Sequence, residues 1–108
     1  MAINKVLIDG AQPAGTAAVD SYTSPTGGGG TRIISLTASL ITGTANYRVF
    51  IGSSAIASNE IIPARSITGP NSSSPFELAG HFIGAGEKLF VQVSSGSTIA
   101  FRASGIEF

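Results

Sequence analysis

Thr31-Arg32-Ile33-Ile34-Ser35-Leu36-Thr37-Ala38-Ser39-Leu40-Ile41 is the stretch on which the fold turns. Ile34, Leu36, Ala38 and Leu40 recur at every second residue, set against Ile33, Ser35, Thr37, Ser39 and Ile41. Successive side chains of a strand point to opposite faces of a sheet, so this rhythm opposes an apolar face to a mostly hydroxylic one. A sheet buried on one side and wet on the other has that signature.

The same period recurs outward from this stretch. Asn46 to Ile51 sets Tyr47, Val49 and Ile51 against Arg48 and Phe50. Glu87 to Val93 sets Leu89, Val91 and Val93 against Lys88, Phe90 and Gln92, and Thr98 to Ser104 sets Ile99, Phe101 and Ala103 against Ala100, Arg102 and Ser104. Shorter strands are expected at Lys5 to Ile8, Ala18 to Thr23, Asn59 to Ile62 (ending before Pro63) and Phe76 to Leu78. Turn signals fall between the segments at Ile8-Asp9-Gly10, Thr42-Gly43-Thr44, Gly69-Pro70-Asn71, Gly84-Ala85-Gly86 and Ser95-Gly96-Ser97. The expectation is an all-β chain: a single β-sandwich domain over residues 1–108, with about eight short antiparallel strands, the jelly roll being one form open to it. Pro25-Thr26-Gly27-Gly28-Gly29-Gly30 and Ser72-Ser73-Ser74 read as flexible loop tips within that domain.

Composition narrows the function. Only 11% of the residues are charged, against about 25% in a typical soluble domain. So few charges give little protection against association, which points to a surface covered by other subunits. Six basic residues balance six acidic ones, and Lys5, Arg32, Arg48, Arg65, Lys88 and Arg102 are spread singly. Phosphate backbones are bound by clustered cations, so neither nucleic acid nor an anionic membrane is an expected partner. With no cysteine there is no disulfide, thiolate metal site or cysteine nucleophile. The N-terminal MAINKVLIDG lacks the layout of a secretory signal, so release from a cell is expected by another route, such as lysis.

No motif for chemistry gathers. The glycine run opens onto a strand-like segment, without the helix and the Gly-Lys-Ser/Thr that a phosphate loop needs. His81 is the single histidine and has no nucleophile elbow near it in sequence. Asp9, Asp20, Glu60, Glu77, Glu87 and Glu107 stand alone, with neither calcium-loop spacing nor a local carboxylate pair. Asn71-Ser72-Ser73 matches a glycosylation acceptor in a chain with no secretion signal. No catalytic, cofactor-binding or metal-binding residue is assigned, and no cofactor is expected.

The aromatics say more. Phe50 and Phe90 fall opposite the apolar stripes of their strands. Either they are exposed and covered by a companion, or their strands are buried on both faces. Ile106-Glu107-Phe108 is an apolar tail with little reason to dangle in water. Candidate subunit-contact residues are therefore Phe50, Phe90, Arg102, Ile106 and Phe108.

Several segments resemble small phage and prophage structural proteins. They are Tyr22-Thr23-Ser24-Pro25, Tyr47-Arg48-Val49-Phe50-Ile51, Gly84-Ala85-Gly86-Glu87-Lys88-Leu89 and the closing Phe101-Arg102-Ala103-Ser104-Gly105-Ile106-Glu107. The Gly27 to Gly30 run departs from the tighter turn of that pattern. The resemblance implies a non-enzymatic virion protein made in the bacterial host cytoplasm: a capsid decoration (cement) subunit or a tail, collar or fibre accessory piece. It implies other virion proteins as partners and a homo-oligomer, a trimer being favoured. A second expectation is a host-surface carbohydrate-binding module using Tyr22, Tyr47 and His81. A small hydrolase centred on His81 is the third.

Overall fold

Alternating apolar residues and well-spaced turns give nine strands in the computed structural model, which describes residues 2–108. They are β1 (Ile3–Ala11), β2 (Val19–Thr23), β3 (Thr31–Leu40), β4 (Thr44–Gly52), β5 (Glu60–Thr68), β6 (Asn71–Ser73), β7 (Phe82–Ile83), β8 (Lys88–Val93) and β9 (Ile99–Glu107). The larger sheet runs β1-β9-β3-β6, with β7 also pairing with β3, and the smaller runs β2-β8-β4-β5. Every pairing is antiparallel. The pairs nest: β1 with β9, β2 with β8, β3 with β6 and β4 with β5. This is one long hairpin rolled over itself, its tip at β4 and β5, and it gives the two interlocked Greek keys of a jelly roll.

The core lies between the sheets. Leu36, Ala38 and Leu40 of β3 meet Tyr47 and Val49 of β4, Leu89, Val91 and Val93 of β8, and Ile99, Phe101 and Ala103 of β9. The Tyr47 and Phe101 rings stand edge to face at 5.9 Å and 72°, a geometry that the ring quadrupoles favour. Each large side chain buried here contributes about 1.5–3 kcal/mol.

Four local expectations are corrected. Ile33 pairs with Gly105 and Ser35 with Ser104, so Ile34 is an extra residue in a β-bulge. One extra residue reverses the alternation: Ile33 turns into the core and Ile34 turns out, 48% exposed, the reverse of the periodic reading. Asp9-Gly10 is not a turn but a second irregularity, inside β1, where Asp9 faces Arg102 and Ala11 faces Phe101. Gly10 supplies its left-handed φ of +71°. β5 does not stop before Pro63 but runs through it. Ile62 pairs with Val49 and Arg65 with Tyr47, leaving Pro63 in a bulge of an edge strand, where a missing N–H breaks no ladder. Phe76–Leu78 is a 3-10 turn and not a strand. It drops Leu78 into the core and leaves Phe76 83% exposed. Three residues are too few for period two to be told from a turn.

Candidate functional site

The outer face of the larger sheet is built from the side chains that β1, β9 and β3 do not send inward, and cross-strand register sorts them into rows. Asn4, Ile106, Arg32 and Phe82 form the row at one end. Val6, Ser104 and Ser35 form the next, with Ile34 bulging out beside Ser35. Asp9, Arg102 and Thr37 form the third. The face therefore has two characters. Its far half is hydroxylic and ionic: Arg102 Nη1 donates to Asp9 Oδ1 at 2.7 Å, and the Thr37 and Ser74 hydroxyls lie 3.1 Å apart. In its near half exposed apolar side chains stand among Asn4, Arg32, Ser35 and Ser104. Val6 is 62% exposed, and Ile34, Phe76, Phe82 and Phe108 are exposed with it.

Ile34 is the ridge of that half. On one side lies a groove of about 350 Å³ lined by Lys5, Val6 and Ser104. On the other lies one of about 210 Å³ lined by Ser35, Pro75 and Phe76. Ser35 and Ser104 bond to each other across the ladder at 3.0 Å, which leaves the ridge between two shallow troughs.

The C-terminal residues are seated against this face. Phe108 N–H donates to the Gly30 carbonyl at 2.9 Å, and Gly29 N–H donates to the Phe108 carbonyl at 2.8 Å. The Phe108 ring lies 6.3 Å from that of Phe82, with the Arg32 guanidinium 5.7 Å from its centroid. The glycine run is thus a seat for the tail and not a free loop tip. Gly30 has φ +93°, and a Cβ there would fall 2.3 Å from the Phe82 ring.

Behind the tail, Glu107 joins the two sheets. The Tyr22 hydroxyl of β2 donates to Glu107 Oε2 and lies 2.7 Å from Thr31 Oγ1. Ser24 Oγ stands 2.9 Å from the same Thr31 oxygen, and Lys5 Nζ donates to Glu107 Oε1 at 3.4 Å. Burial, followed by the Glu107 contact, raises the Tyr22 pKa. The Tyr22 hydrogen bond, assisted by Lys5, lowers that of Glu107. Both shifts favour the neutral phenol donating to the carboxylate.

Five of the six basic residues are paired with acids. Lys5–Glu107, Arg48–Glu60, Arg65–Glu77, Lys88–Asp20 and Arg102–Asp9 all lie within 3.4 Å. Glu87 accepts from Gly84 N–H at 2.9 Å, and Arg32 stacks on Phe108.

The five residues singled out from the sequence do not converge. Ile106 and Phe108 lie at the apolar end of the larger sheet, while Arg102 stands further along β9 in the ionic half. Phe50 and Phe90 lie on the outer face of the other sheet. They are 6% and 8% exposed, so their expected availability to a companion is not met. They are direct cross-strand partners on the two central strands, in a row that runs Asp20, Phe90, Phe50, Glu60, and the chain covers them itself. The carbohydrate candidates are dispersed too. Tyr47 is buried, its hydroxyl 2.8 Å from Ser73 Oγ, Tyr22 is bound to Glu107, and His81 is half-buried with its backbone tied to Ile33 and Leu78.

Sequence reading missed Val6, Ile34, Phe76 and Phe82. Phe82 beside Gly80-His81 carried the one visible signal, an aromatic residue in a short segment with no apolar partner at period two. Comparison of the chain with protein-family models, with curated proteins and with solved structures finds no match.

Proposed function

We propose that this chain is a non-enzymatic structural subunit of a bacteriophage particle, of capsid decoration or tail accessory type, which works by holding neighbouring subunits. The carrying observation is the apolar half-face around Ile34, exposed on a surface where five of the six basic residues are paired with acids. Withdrawing each such side chain from water contributes about 1.5–3 kcal/mol, and few charges must be desolvated to do it. The jelly roll agrees with this reading, because viral capsid domains use it; lectins use it also, so architecture alone does not decide. The closing Phe101-Arg102-Ala103-Ser104-Gly105 segment adds its resemblance to phage structural proteins. The test is co-sedimentation of purified protein with capsids and with tails lacking it, followed by heating of the particles. Saturable binding that restores heat resistance supports the reading; no binding to either particle removes it.

A second reading, attachment to host-surface carbohydrate, draws on a groove of about 320 Å³ on the smaller sheet, lined by Thr16, Asn46, Arg48, Gln92 and Ser94. Its size is at the low end for small-ligand sites, and its amides suit sugar hydroxyls. A glycan array signal lost in Asn46→Ala with Gln92→Ala favours it; a silent array counts against it.

A further inference from the structure

We infer that the ridge of Ile34 is a two-fold contact between two copies of this chain, each ridge seated in the trough beside the other's. The inference rests on the structural-subunit reading and supplies its first partner and surface. Three observations select a second copy as the occupant.

The first is shape. Ile34 stands proud at the bulge between the Val6 and Phe76 grooves. A ridge flanked by troughs is complementary to itself after half a turn. The second is distribution. Among the described residues, Val6, Ile34, Phe76, Phe82 and Phe108 gather at one end of one face, while Ile3, in the row of Glu107 and Thr31, and Val19, Ile41 and Ile56 are exposed outside that group. A ring such as a trimer needs two different complementary patches on each copy, whereas a two-fold contact needs one patch that fits itself. The third is charge. The rim carries Lys5–Glu107, Arg65–Glu77 and Arg102–Asp9, each neutralised within the chain, while Arg32 lies over the Phe108 ring with no acid partner among the described residues. A strongly charged partner would find no complementary rim, and the like charge that a second copy brings is confined to Arg32. The principal extents of the molecule are 42 × 25 × 22 Å, so the apolar half of a broad face falls short of the roughly 800 Å² per partner of a standard interface, and the contact belongs with weak, concentration-dependent pairings.

Sedimentation velocity over a concentration series up to about 1 mM tests this. The wild-type chain is expected to pass from one copy to two. Ile34→Asp and, separately, Val6→Asp are expected to weaken association at least about tenfold, since each buries an unpaired charge at the centre of the contact. Ile41→Asp, on an equally open isoleucine away from the patch, is expected to leave association unchanged. Circular dichroism melts matching wild type show that the variants are folded. A variant that does not melt as wild type is replaced by hydrogen exchange on the native chain, with slowed exchange at Ser35 and Ser104 on dimerisation as the expected result. A chain that stays single throughout, a three-copy mass, or a dimer broken by Ile41→Asp alone overturns the inference. A single copy that still binds depleted particles leaves the structural-subunit reading standing, and a dimer that binds none removes that reading while keeping the contact.

Discussion

Both sheets carry apolar side chains on their outer faces, yet only one leaves them open. On the smaller sheet Phe50 and Phe90 are cross-strand partners on adjacent central strands, in a row that ends in Asp20 and Glu60, and both are buried. On the larger sheet Val6 is separated from the Ile34 bulge by Ser104 and Ser35, whose small side chains cover nothing. An apolar residue opposite a core stripe is thus the same signal in both places. Its outcome depends on what stands beside it in the cross-strand row.

Substitutions can break that contrast, and the widest gap is expected between the two sets of phenylalanines. Phe90→Ala should cost about 3 kcal/mol in urea unfolding, whereas Phe76→Ala should stay within about 0.5 kcal/mol. Equal costs would show that the two outer faces do not differ. Gly30→Ala tests whether the open face is held in place by its seat. A left-handed φ costs a non-glycine residue about 1–2 kcal/mol, and the new Cβ also displaces Phe82, so a lowered Tm and altered exchange at Phe108 are expected. Wild-type stability in that variant would detach the tail from the glycine run.

The inter-sheet bond comes next in size. Tyr22→Phe should cost about 1 kcal/mol by chemical denaturation. The same variant sharpens the pH dependence. The folded Glu107 carboxyl is held below its ordinary value near 4.5, so the stability it confers is present above that pH and is lost as pH falls through the folded value. Glu77, lowered by Arg65, declines in the same window, so the readout is the difference between the two acid-unfolding curves: wild type should lose more than Tyr22→Phe. At the other extreme, Tyr22 is raised above 10, and its contribution is complete below pH 10 and lost above it. The smallest change is expected for Arg102→Ala, whose exposed pair with Asp9 is worth no more than about 0.5 kcal/mol. A larger loss would mean that the ionic half of the face is as structural as the apolar half.

The sequence revealed the core wherever alternation ran unbroken. Leu36 to Leu40, Tyr47 to Ile51, Leu89 to Val93 and Ile99 to Ala103 all face as their periodicity predicts. It failed where parity was ambiguous. Ile33 and Ile34 are adjacent and identical, and only pairing with Gly105 and Ser104, far along the chain, decides which turns inward. Of the candidate surface, Ile106 and Phe108 were visible as an apolar tail. Val6 was hidden in the consecutive apolar run Val6-Leu7-Ile8, rightly expected as a strand but without a readable face, and Phe76 in a run too short to tell strand from turn. For Phe50 and Phe90 the sequence left exposure and burial on both faces open, because their pairing across β4 and β8 is long-range.

The position of β9 has a consequence for biosynthesis. It lies between β1 and β3, so the larger sheet has no centre until residue 107 has left the ribosome. β1 must wait unpaired for a mate that lies far along the chain. Pairing of such distant segments is slow and leaves strand edges bare in the meantime. Folding of the larger sheet accordingly waits for β9, and a polypeptide truncated within Ile99–Glu107 would be a client for chaperones and proteases rather than a weakened form of the fold.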